Sequence, residues 1–208
     1  MNNLENKDLG LTEFQDVWRQ MQAATDQKSG QEKDEIWFTE HHPVYTLGHA
    51  ATEENIISTN NIPVVRTDRG GQVTYHGPGQ LMIYFMLNLR RLNWGPKKLI
   101  CEMESLIIDL LEQYEINASR RTGAPGIYVQ DKKIASIGLK IKRGFCYHGI
   151  SLNVDMDMKP FDGIVTCGID SLEVTQINEF AEISIDEVKR DFLQLIKSQG
   201  ARAAQWIT

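Results

Sequence analysis

Residues 133–142 read KIASIGLKIK, a segment in which apolar residues alternate with small or polar ones. The odd-numbered positions from Ala135 to Ile141 are apolar, whereas the even-numbered positions from Ser136 to Lys142 carry Ser, Gly or Lys. Because successive side chains of a β-strand point to opposite faces, this alternation predicts a strand whose odd positions face the protein core. Lys133 has the parity of that buried face if the strand starts at its first residue.

The segments around this strand are also strand-like, and helices are few. Runs of β-branched and aromatic residues bounded by turn residues predict further strands at 35–39, 43–47, 63–67, 72–75, 81–88, 126–130 and 145–155. Apolar residues at helical spacing predict helices at 11–24, at 96–114 and from Ser184 onward, the first and last with capping-box spacing. Because the strands cluster without regular alternation with helices, we predict an α/β protein of the α+β type, with a mixed or antiparallel sheet flanked by helices.

Composition narrows the class of protein. The 208 residues are 41% hydrophobic and 24% charged, which is ordinary for a globular protein, and we expect a single domain over residues 1–208. The net charge of -6 argues against a nucleic-acid partner, which usually requires a basic face. The longest apolar run, 81–87, is too short to cross a membrane, and the N-terminus lacks the pattern of a secretion signal. We therefore expect a cytoplasmic protein with no membrane partner.

The densest functional signal is the segment 69–80, which reads RGGQVTYHGPGQ. Its glycines permit turns and close approaches that a Cβ would prevent, and they bracket a short polar strand. This arrangement suits the wall of a ligand pocket, although an ordinary hairpin with His76 as a hydrogen-bonded structural residue explains the spacing equally well. The segment lacks the spacing of a phosphate-binding loop.

Lys133 and Cys167 are candidates for chemistry. An inward ammonium is costly unless it is paired or deprotonated, so an inward Lys133 would be functional, whereas a solvated turn at Lys133 would be unremarkable. Cys167 belongs to no helical stripe and precedes a glycine, so a substrate could reach its thiol. A nucleophilic thiolate needs a base or a positive charge nearby, and spacing alone does not choose among His76, His148 and Lys133.

The remaining cysteines and histidines predict no further site. Cys101 lies within the helix expected at 96–114, and we expect it to be packed there. His41, His42 and His49 lack the spacing and the accompanying ligands of a metal site, so no metal is predicted.

Several of these motifs together resemble the lipoyl(octanoyl) transferases, which are octanoyl-carrier-protein:protein octanoyltransferases also called lipoate-protein ligases B. The resemblance covers roughly residues 35–176, and its motifs agree in order and spacing. They are the segment 69–80, GAPGIYV at 123–129, KI and SIG within 133–138, HGISLNV at 148–154 and TCG at 166–168. Ser151 departs from the family pattern, which usually has alanine there.

The resemblance implies a fold shared with the catalytic domains of biotin and lipoate protein ligases, with an acyl tunnel. It also implies a catalytic dyad of Cys167 and Lys133, in which Lys133 serves as the base. The residues that it implies for substrate binding are Arg69, Gly70, Gly71, Gln72, Val73, Thr74, Tyr75, His76, Ser136, Ile137, Gly138, Gly149, Ile150 and Ser151.

The reaction that the resemblance implies is the first step of endogenous protein lipoylation. The donor is octanoyl-acyl carrier protein. The acceptors are lysines in the lipoyl domains of 2-oxoacid dehydrogenase complexes and in the glycine cleavage H protein. An acyl-cysteine thioester is the intermediate, and no cofactor or ATP is needed. An ATP-dependent ligase and an inactive binding module of the same fold are the alternatives.

Acidic partners imply a basic surface patch on this acidic chain. The candidates for that patch are Arg90, Arg91, Lys97, Lys98, Arg120, Arg121, Lys140, Lys142 and Arg143.

Overall fold

The computed structural model describes residues 4–166 and 172–198 of the chain. The strands in these ranges are β1 (Leu4–Thr12), β2 (Asp34–His41), β3 (Val44–Leu47), β4 (Val64–Arg66), β5 (Val73–His76), β6 (Gln80–Met86), β7 (Ser119–Arg120), β8 (Gly126–Val129), β9 (Lys132–Lys142) and β10 (Phe145–Asn153). The α-helices there are α1 (Phe14–Gln27), α2 (Leu89–Leu92), α3 (Pro96–Gln113) and α4 (Ile185–Ser198). Within the same ranges, no helix is long and apolar enough to span a bilayer.

The strands form two sheets. The larger has the order β1-β2-β6-β10-β9-β8-β7, and its pairs are antiparallel except for the parallel pair β1–β2. The smaller has the order β4-β3-β5, with β3 parallel to β4 and antiparallel to β5. Both sheets are therefore mixed, and the predicted α+β class is confirmed.

The two faces of the large sheet have different roles. On one face, Ile83, Ile150 and Ile137 are register partners on neighbouring strands and join the main apolar core. That core includes residues of α3 and α4, such as Leu106 and Phe192. Burial of each such side chain stabilises the fold by about 1.5–3 kcal/mol. On the opposite face, α1 packs near β6, and the rest of that face is left for the small sheet and a cavity.

The predicted strands and helices are present with small shifts of their ends, whereas β1 and the short elements α2 and β7 were not predicted. The capping box predicted for the last helix is present, since Ser184 N donates to Glu187 Oε2 over 2.9 Å and Glu187 N donates to Ser184 Oγ over 3.3 Å. The capping box predicted for the first helix is wrong. α1 starts at Phe14 without a side-chain cap, and Thr12 is the last residue of β1.

The expectation that Cys101 packs inside its helix is also wrong, because the residue is exposed. Its position on α3 fits the apolar periodicity only loosely. Cys146 is the buried cysteine of the described ranges, and burial raises the pKa of its thiol to about 12. An unreactive thiol at Cys146 and an accessible one at Cys101 provide two useful controls for chemistry at Cys167.

Candidate active site

A cavity of about 570 Å³ lies between the free face of the large sheet and the glycine-rich segment before β5. It is lined by Lys133, by residues 69–74 and 136–138, and by Gly149 and Ser151. Most residues predicted for substrate binding therefore come together at one site, although they are distributed over more than 80 positions of the sequence.

Small residues form the floor of this cavity. Ser136 on β9 is opposite Ser151 on β10, and Gly138 is opposite Gly149. Because alternate residues of a strand share a face, these four positions form one patch beneath the cavity. The even positions of β9 that looked merely polar in the sequence are thus the ones that leave room for a ligand.

The glycine-rich segment forms the opposite wall and is anchored at several points. Gly70 N donates to Leu139 O over 2.9 Å. Arg69 Nη2 donates to the backbone oxygen of Thr46 over 2.7 Å and to its Oγ1 over 2.8 Å. The carbon stem of Arg69 rests on Gly138, where a Cβ would lie 2.8 Å from Arg69 Cδ. The side chain of Arg69 is therefore fixed across the cavity rather than directed into solvent.

Lys133 points inward, but the parity that it shares with Ala135 is not the reason. The pairing of β8 with β9 shifts between Ile127–Ala135 and Tyr128–Lys133, so Ile134 is an extra, bulged residue and Lys133 faces the cavity instead of the main core. Lys133 is only 4% exposed, and its Nζ donates to the backbone oxygen of Pro125 over 3.0 Å. Nζ also lies 5.5 Å from the ring centroid of Tyr128, within the range of a cation–π contact. A solvated turn at Lys133 is thereby excluded.

Cys167 lies outside the described residues, as does Gly168. The chain is described up to Thr166, which is buried. Val165 N donates to Asn55 O over 2.8 Å, so the approach to position 167 is anchored. The chain resumes at position 172, and Lys133 N then donates to Glu173 O over 2.8 Å. The described residues on either side of positions 167–171 are therefore anchored, and Glu173 pairs with Lys133 itself.

His76 is a buried, hydrogen-bonded residue at the cavity wall. Its Nε2 lies 3.0 Å from Thr46 Oγ1, which already accepts from Arg69, and its Nδ1 lies 2.7 Å from Gln80 Oε1. Burial holds the pKa of His76 well below its usual value, and the nearby His41 adds to that effect. The ring is therefore neutral at pH 7, and its partners are those of a structural residue that also lines the cavity.

Asp68 does not line the cavity, but it holds the lining residue His148, and sequence reasoning did not find it. Its carboxylate accepts hydrogen bonds from Trp18 Nε1 at 2.9 Å, Gln22 Nε2 at 3.2 Å and His148 Nε2 at 2.9 Å, and also from the hydroxyl of Tyr147. Burial alone would raise the pKa of Asp68, but the bonds from His148 and Tyr147 hold it far below its usual range. The carboxylate of Asp68 therefore connects α1 and β10 to the chain segment that leads into Arg69.

His148 lines the cavity with a backbone φ of +63°, which is rare for a residue other than glycine. Burial lowers the pKa of His148, and its bond to Asp68 partly opposes that shift. An Asp68–His148 pair thus fixes the ring position at the cavity edge.

Two of the residues predicted for substrate binding are not part of the cavity lining. Tyr75 packs against Tyr45 and Phe161 in the core of the small sheet. Ile150 belongs to the main core on the far face of β10. The cavity also has lining residues that the motifs did not indicate, among them Phe14, Met82 and Tyr84.

Comparisons with known proteins agree with this fold and site. The family model of the lipoyl protein ligase A/B catalytic domain matches residues 14–197, which extends beyond the resemblance over 35–176 at both ends. Octanoyltransferase of Legionella pneumophila (strain Corby) is 47% identical over 192 residues, which are 92% of this chain and 96% of that protein. Octanoyltransferase of Hahella chejuensis is 51% identical over 171 residues, which are 82% of this chain and 76% of that protein.

Solved structures with the same fold are more distant in sequence. A bi-partite lipoate protein ligase from Thermoplasma acidophilum superposes with a TM-score of 0.75 at 15% identity, covering 93% of this chain and 82% of that one. Biotin protein ligase from Aquifex aeolicus, in complex with biotin and ATP, superposes with a TM-score of 0.61 at 15% identity, covering 93% and 68%. The predicted likeness of the fold to biotin and lipoate protein ligases is confirmed. The chain therefore belongs to the lipoyl protein ligase A/B catalytic-domain family and, within it, to the octanoyltransferases, which are acyltransferases.

Proposed function

We propose that this chain transfers an octanoyl group from octanoyl-acyl carrier protein to a lysine of a lipoyl domain, through a thioester on Cys167. The observation that carries the proposal is the buried amino group of Lys133, which lies at the edge of a cavity floored by small residues. A basic group beside an apolar slot suits the deprotonation of a thiol and the binding of an acyl chain in one place. The names of the relatives support octanoyl as the transferred group.

The proposed reaction has two acyl transfers. In the first, Lys133 accepts the thiol proton of Cys167, and the thiolate attacks the donor carbonyl. A new C–S bond forms, the donor C–S bond breaks, and the carrier thiolate leaves with the proton returned by Lys133. In the second, the neutral amine of the acceptor lysine attacks acyl-Cys167, an amide bond forms, the acyl C–S bond breaks, and Cys167 leaves as the thiolate while the amine proton passes to Lys133. Because a thioester is less stable than an amide, no ATP is consumed.

The proposed partners are acidic, and part of the expected basic surface supports their docking. Salt bridges neutralise several of the candidate cations, for example Arg91 with Asp34 and Arg120 with Glu104. Within the described ranges, Arg90, Lys97, Arg121 and Lys140 take part in no ion pair.

Arg90 and Lys97 mark a groove next to the cavity. The groove is lined by Arg90, Trp94 and Gly144, and it shares Pro96 and Ile141 with the lining of the cavity. Lys97 lies in the first turn of α3, where the helix dipole adds positive potential. We propose that the acidic donor docks at this groove.

The proposed acceptors are the lipoyl domains of 2-oxoacid dehydrogenase complexes and the glycine cleavage H protein. One structural relative was described together with its E2 lipoyl domain, which supports an acceptor of this type.

An ATP-dependent ligase is the alternative function, because two structural relatives were solved with ATP. Such a ligase would activate free octanoate or lipoate and would not require Cys167. The two functions differ in what they predict for the free enzyme exposed to donor alone.

The test is intact-mass spectrometry after incubation with octanoyl-acyl carrier protein and no ATP. We expect a hydroxylamine-sensitive gain of about 126 Da, the mass of one octanoyl group on a nucleophile. Cys167→Ser is expected to lose the rapid adduct. Cys101→Ser, at the exposed cysteine, and Cys146→Ser, at the buried one, are expected to keep it. An unchanged thioester adduct in Cys167→Ser, or strict dependence on ATP and free acid, would overturn the proposal.

A further inference from the structure

We propose that the bound acyl chain lies across the strands of the large sheet, and that Met82 is the wall that limits its length. This inference rests on the proposed function, since it takes the reacting carbonyl to lie near Lys133. It assigns a specificity role to a residue on β6 that belongs to none of the recognised motifs.

The starting point of the path is the amino group of Lys133. A Cβ built on Gly126 would lie 3.0 Å from Lys133 Nζ, so Nζ is next to residue 126 rather than above its own position in β9. Gly126 on β8 pairs with Ser136 on β9. The acyl carbonyl that reacts near Lys133 therefore enters the slot beside Gly126 and Ser136. These two residues begin a row of paired residues that runs across the strands of the sheet.

Residues in this row become large only at the fourth strand. The register runs from Gly126 to Ser136 on β9, to Ser151 on β10 and to Met82 on β6. The first three positions have a hydrogen or a short side chain, whereas Met82 fills its position and is 4% exposed. Met82 belongs to the apolar cluster that α1 covers, so the wall is supported from behind.

The length of this row matches an eight-carbon chain. Three inter-strand spacings cover about 14 Å, and a carbon–carbon contact distance of about 4 Å at the wall leaves about 10 Å for the chain. Seven C–C bonds in an extended octanoyl group span about 9 Å. An octanoyl chain therefore reaches Met82 without folding, and a chain two carbons longer does not fit.

Along the floor of the cavity, Arg69 narrows the path beside β9. The stem of Arg69 rests on Gly138, two residues beyond Ser136, and the Arg69 guanidinium is bound to Thr46. In the neighbouring row, Gly149 on β10 is paired with Tyr84 on β6. Tyr84 blocks that row on the same strand on which Met82 blocks its own. Its hydroxyl lies 2.6 Å from His41 Nε2, so the ring is fixed. On the floor of the cavity these neighbours leave the row across the strands open, while the lining also continues to Pro96, Ile100 and Ile141 beside the groove.

The test compares donors of different length. The kcat/KM values for hexanoyl, octanoyl, decanoyl and dodecanoyl pantetheine thioesters are measured with a lipoyl-domain acceptor. Met82→Ala deepens the slot by about two carbons, and we expect its decanoyl-to-octanoyl ratio to rise about tenfold over wild type. Ser151→Val narrows the floor before the wall, and we expect it to lower the octanoyl-to-hexanoyl ratio by a similar factor.

Ile83→Val is the matched control, because Ile83 is the next residue on β6 and faces the main core. It removes buried apolar volume from the same strand and is expected to leave both ratios unchanged. If Met82→Ala does not fold, as judged by circular dichroism, Met82→Val, which removes less of the side chain, takes its place in the same comparison. The inference is overturned if the folded variants change all donors equally or if Ile83→Val shifts the ratios as much. A wild-type protein that transfers no acyl group from any donor would instead overturn the proposed function.

Discussion

The side chain of Lys133 occupies the space that a side chain at Gly126 would need. A Cβ at position 126 would overlap Lys133 Cε and would lie 2.6 Å from the backbone oxygen of Ala135. Gly126 also has a φ of +136°, a conformation that L-residues rarely adopt. The buried lysine and the glycine are therefore one unit, in which the absence of a side chain on β8 creates the site for the amino group.

Gly126→Ala is expected to displace Lys133 and to abolish acyl transfer. The strained backbone and the steric overlap together are expected to lower the free energy of unfolding by about 1–3 kcal/mol. Urea unfolding measures the stability, and single-turnover transfer of the octanoyl group measures the function.

Gly10→Ala is the control for the backbone cost. Gly10 has a φ of +65°, and a Cβ there would have no heavy atom within 4 Å. This variant is expected to lose some stability but to retain acyl transfer. If Gly126→Ala transfers octanoyl at the rate of Gly10→Ala, the position of the Lys133 amino group does not matter for the reaction.

The pH dependence of stability is expected to reflect buried histidines. Burial lowers the pKa of His41 to about 4, a contact with Thr12 partly opposes that shift, and nearby His42 adds slightly to it. The unfolded chain binds a proton near pH 6.5, whereas the folded chain keeps His41 neutral. Stability is therefore lost as the pH falls from about 6.5 toward 4, by up to about 1.4 kcal/mol per pH unit for this one residue.

The measurement is the free energy of unfolding in urea between pH 7.5 and pH 5. His41→Gln is expected to be less stable at pH 7.5, because it loses the contact with Tyr84, but to depend less steeply on pH. His42→Gln changes an exposed histidine and is expected to keep the wild-type slope. An unchanged slope in His41→Gln would show that the acid sensitivity arises elsewhere.

Local alternation predicted β9 and the core-facing side chains of its odd positions from Ala135 onward. It assigned Lys133 to the same core face, because the bulge at Ile134 that turns Lys133 toward the cavity leaves no mark in the alternation. β1 was not predicted, since most of its residues are exposed and it joins the sheet mainly through its backbone. Every residue of β6 is buried, so its sequence has no alternation that would show Met82 facing the cavity. The Asp68 contacts join residues up to 80 positions apart, and such contacts leave no periodic trace.

The groove beside the cavity is expected to contribute to binding of the carrier-bound donor. A double variant, Arg90→Glu with Lys97→Glu, reverses two cations that have no ion pair within the described ranges. We expect the KM for octanoyl-acyl carrier protein to rise about tenfold at low salt, and the effect to shrink with added salt as charges are screened.

Two comparisons make this docking prediction specific. The KM for octanoyl-pantetheine, which lacks the acidic protein, is expected to change much less in the double variant. Lys197→Glu, on the exposed side of α4, is expected to leave both donors unaffected. Equal effects on the two donors would indicate damage to the cavity rather than loss of a docking surface.

Lys133 is expected to act as the base both in the acylation of Cys167 and in the transfer to the acceptor amine, and two variants at this position distinguish the two roles. Lys133→Arg keeps a positive charge at the place where the proposed reaction requires Cys167, but it does not accept a proton near neutral pH. We expect it to retain part of the thiolate and some acylation, but to transfer the acyl group poorly to the acceptor amine. Lys133→Ala lacks both properties and is expected to impair both steps by about a hundredfold or more.

Single-turnover acylation and deacylation measure the two steps, and the pH dependence of thiol alkylation reports the thiolate at Cys167. Lys132→Ala is the matched control, since its amino group is half exposed and pairs with Glu173 over 2.9 Å. It is expected to behave like wild type in all three measurements. If Lys133→Ala also alkylates with the wild-type pH profile and turns over at the wild-type rate, the buried lysine is structural. The base would then have to be His76 or His148, which line the same cavity but are already held by Thr46 and Asp68.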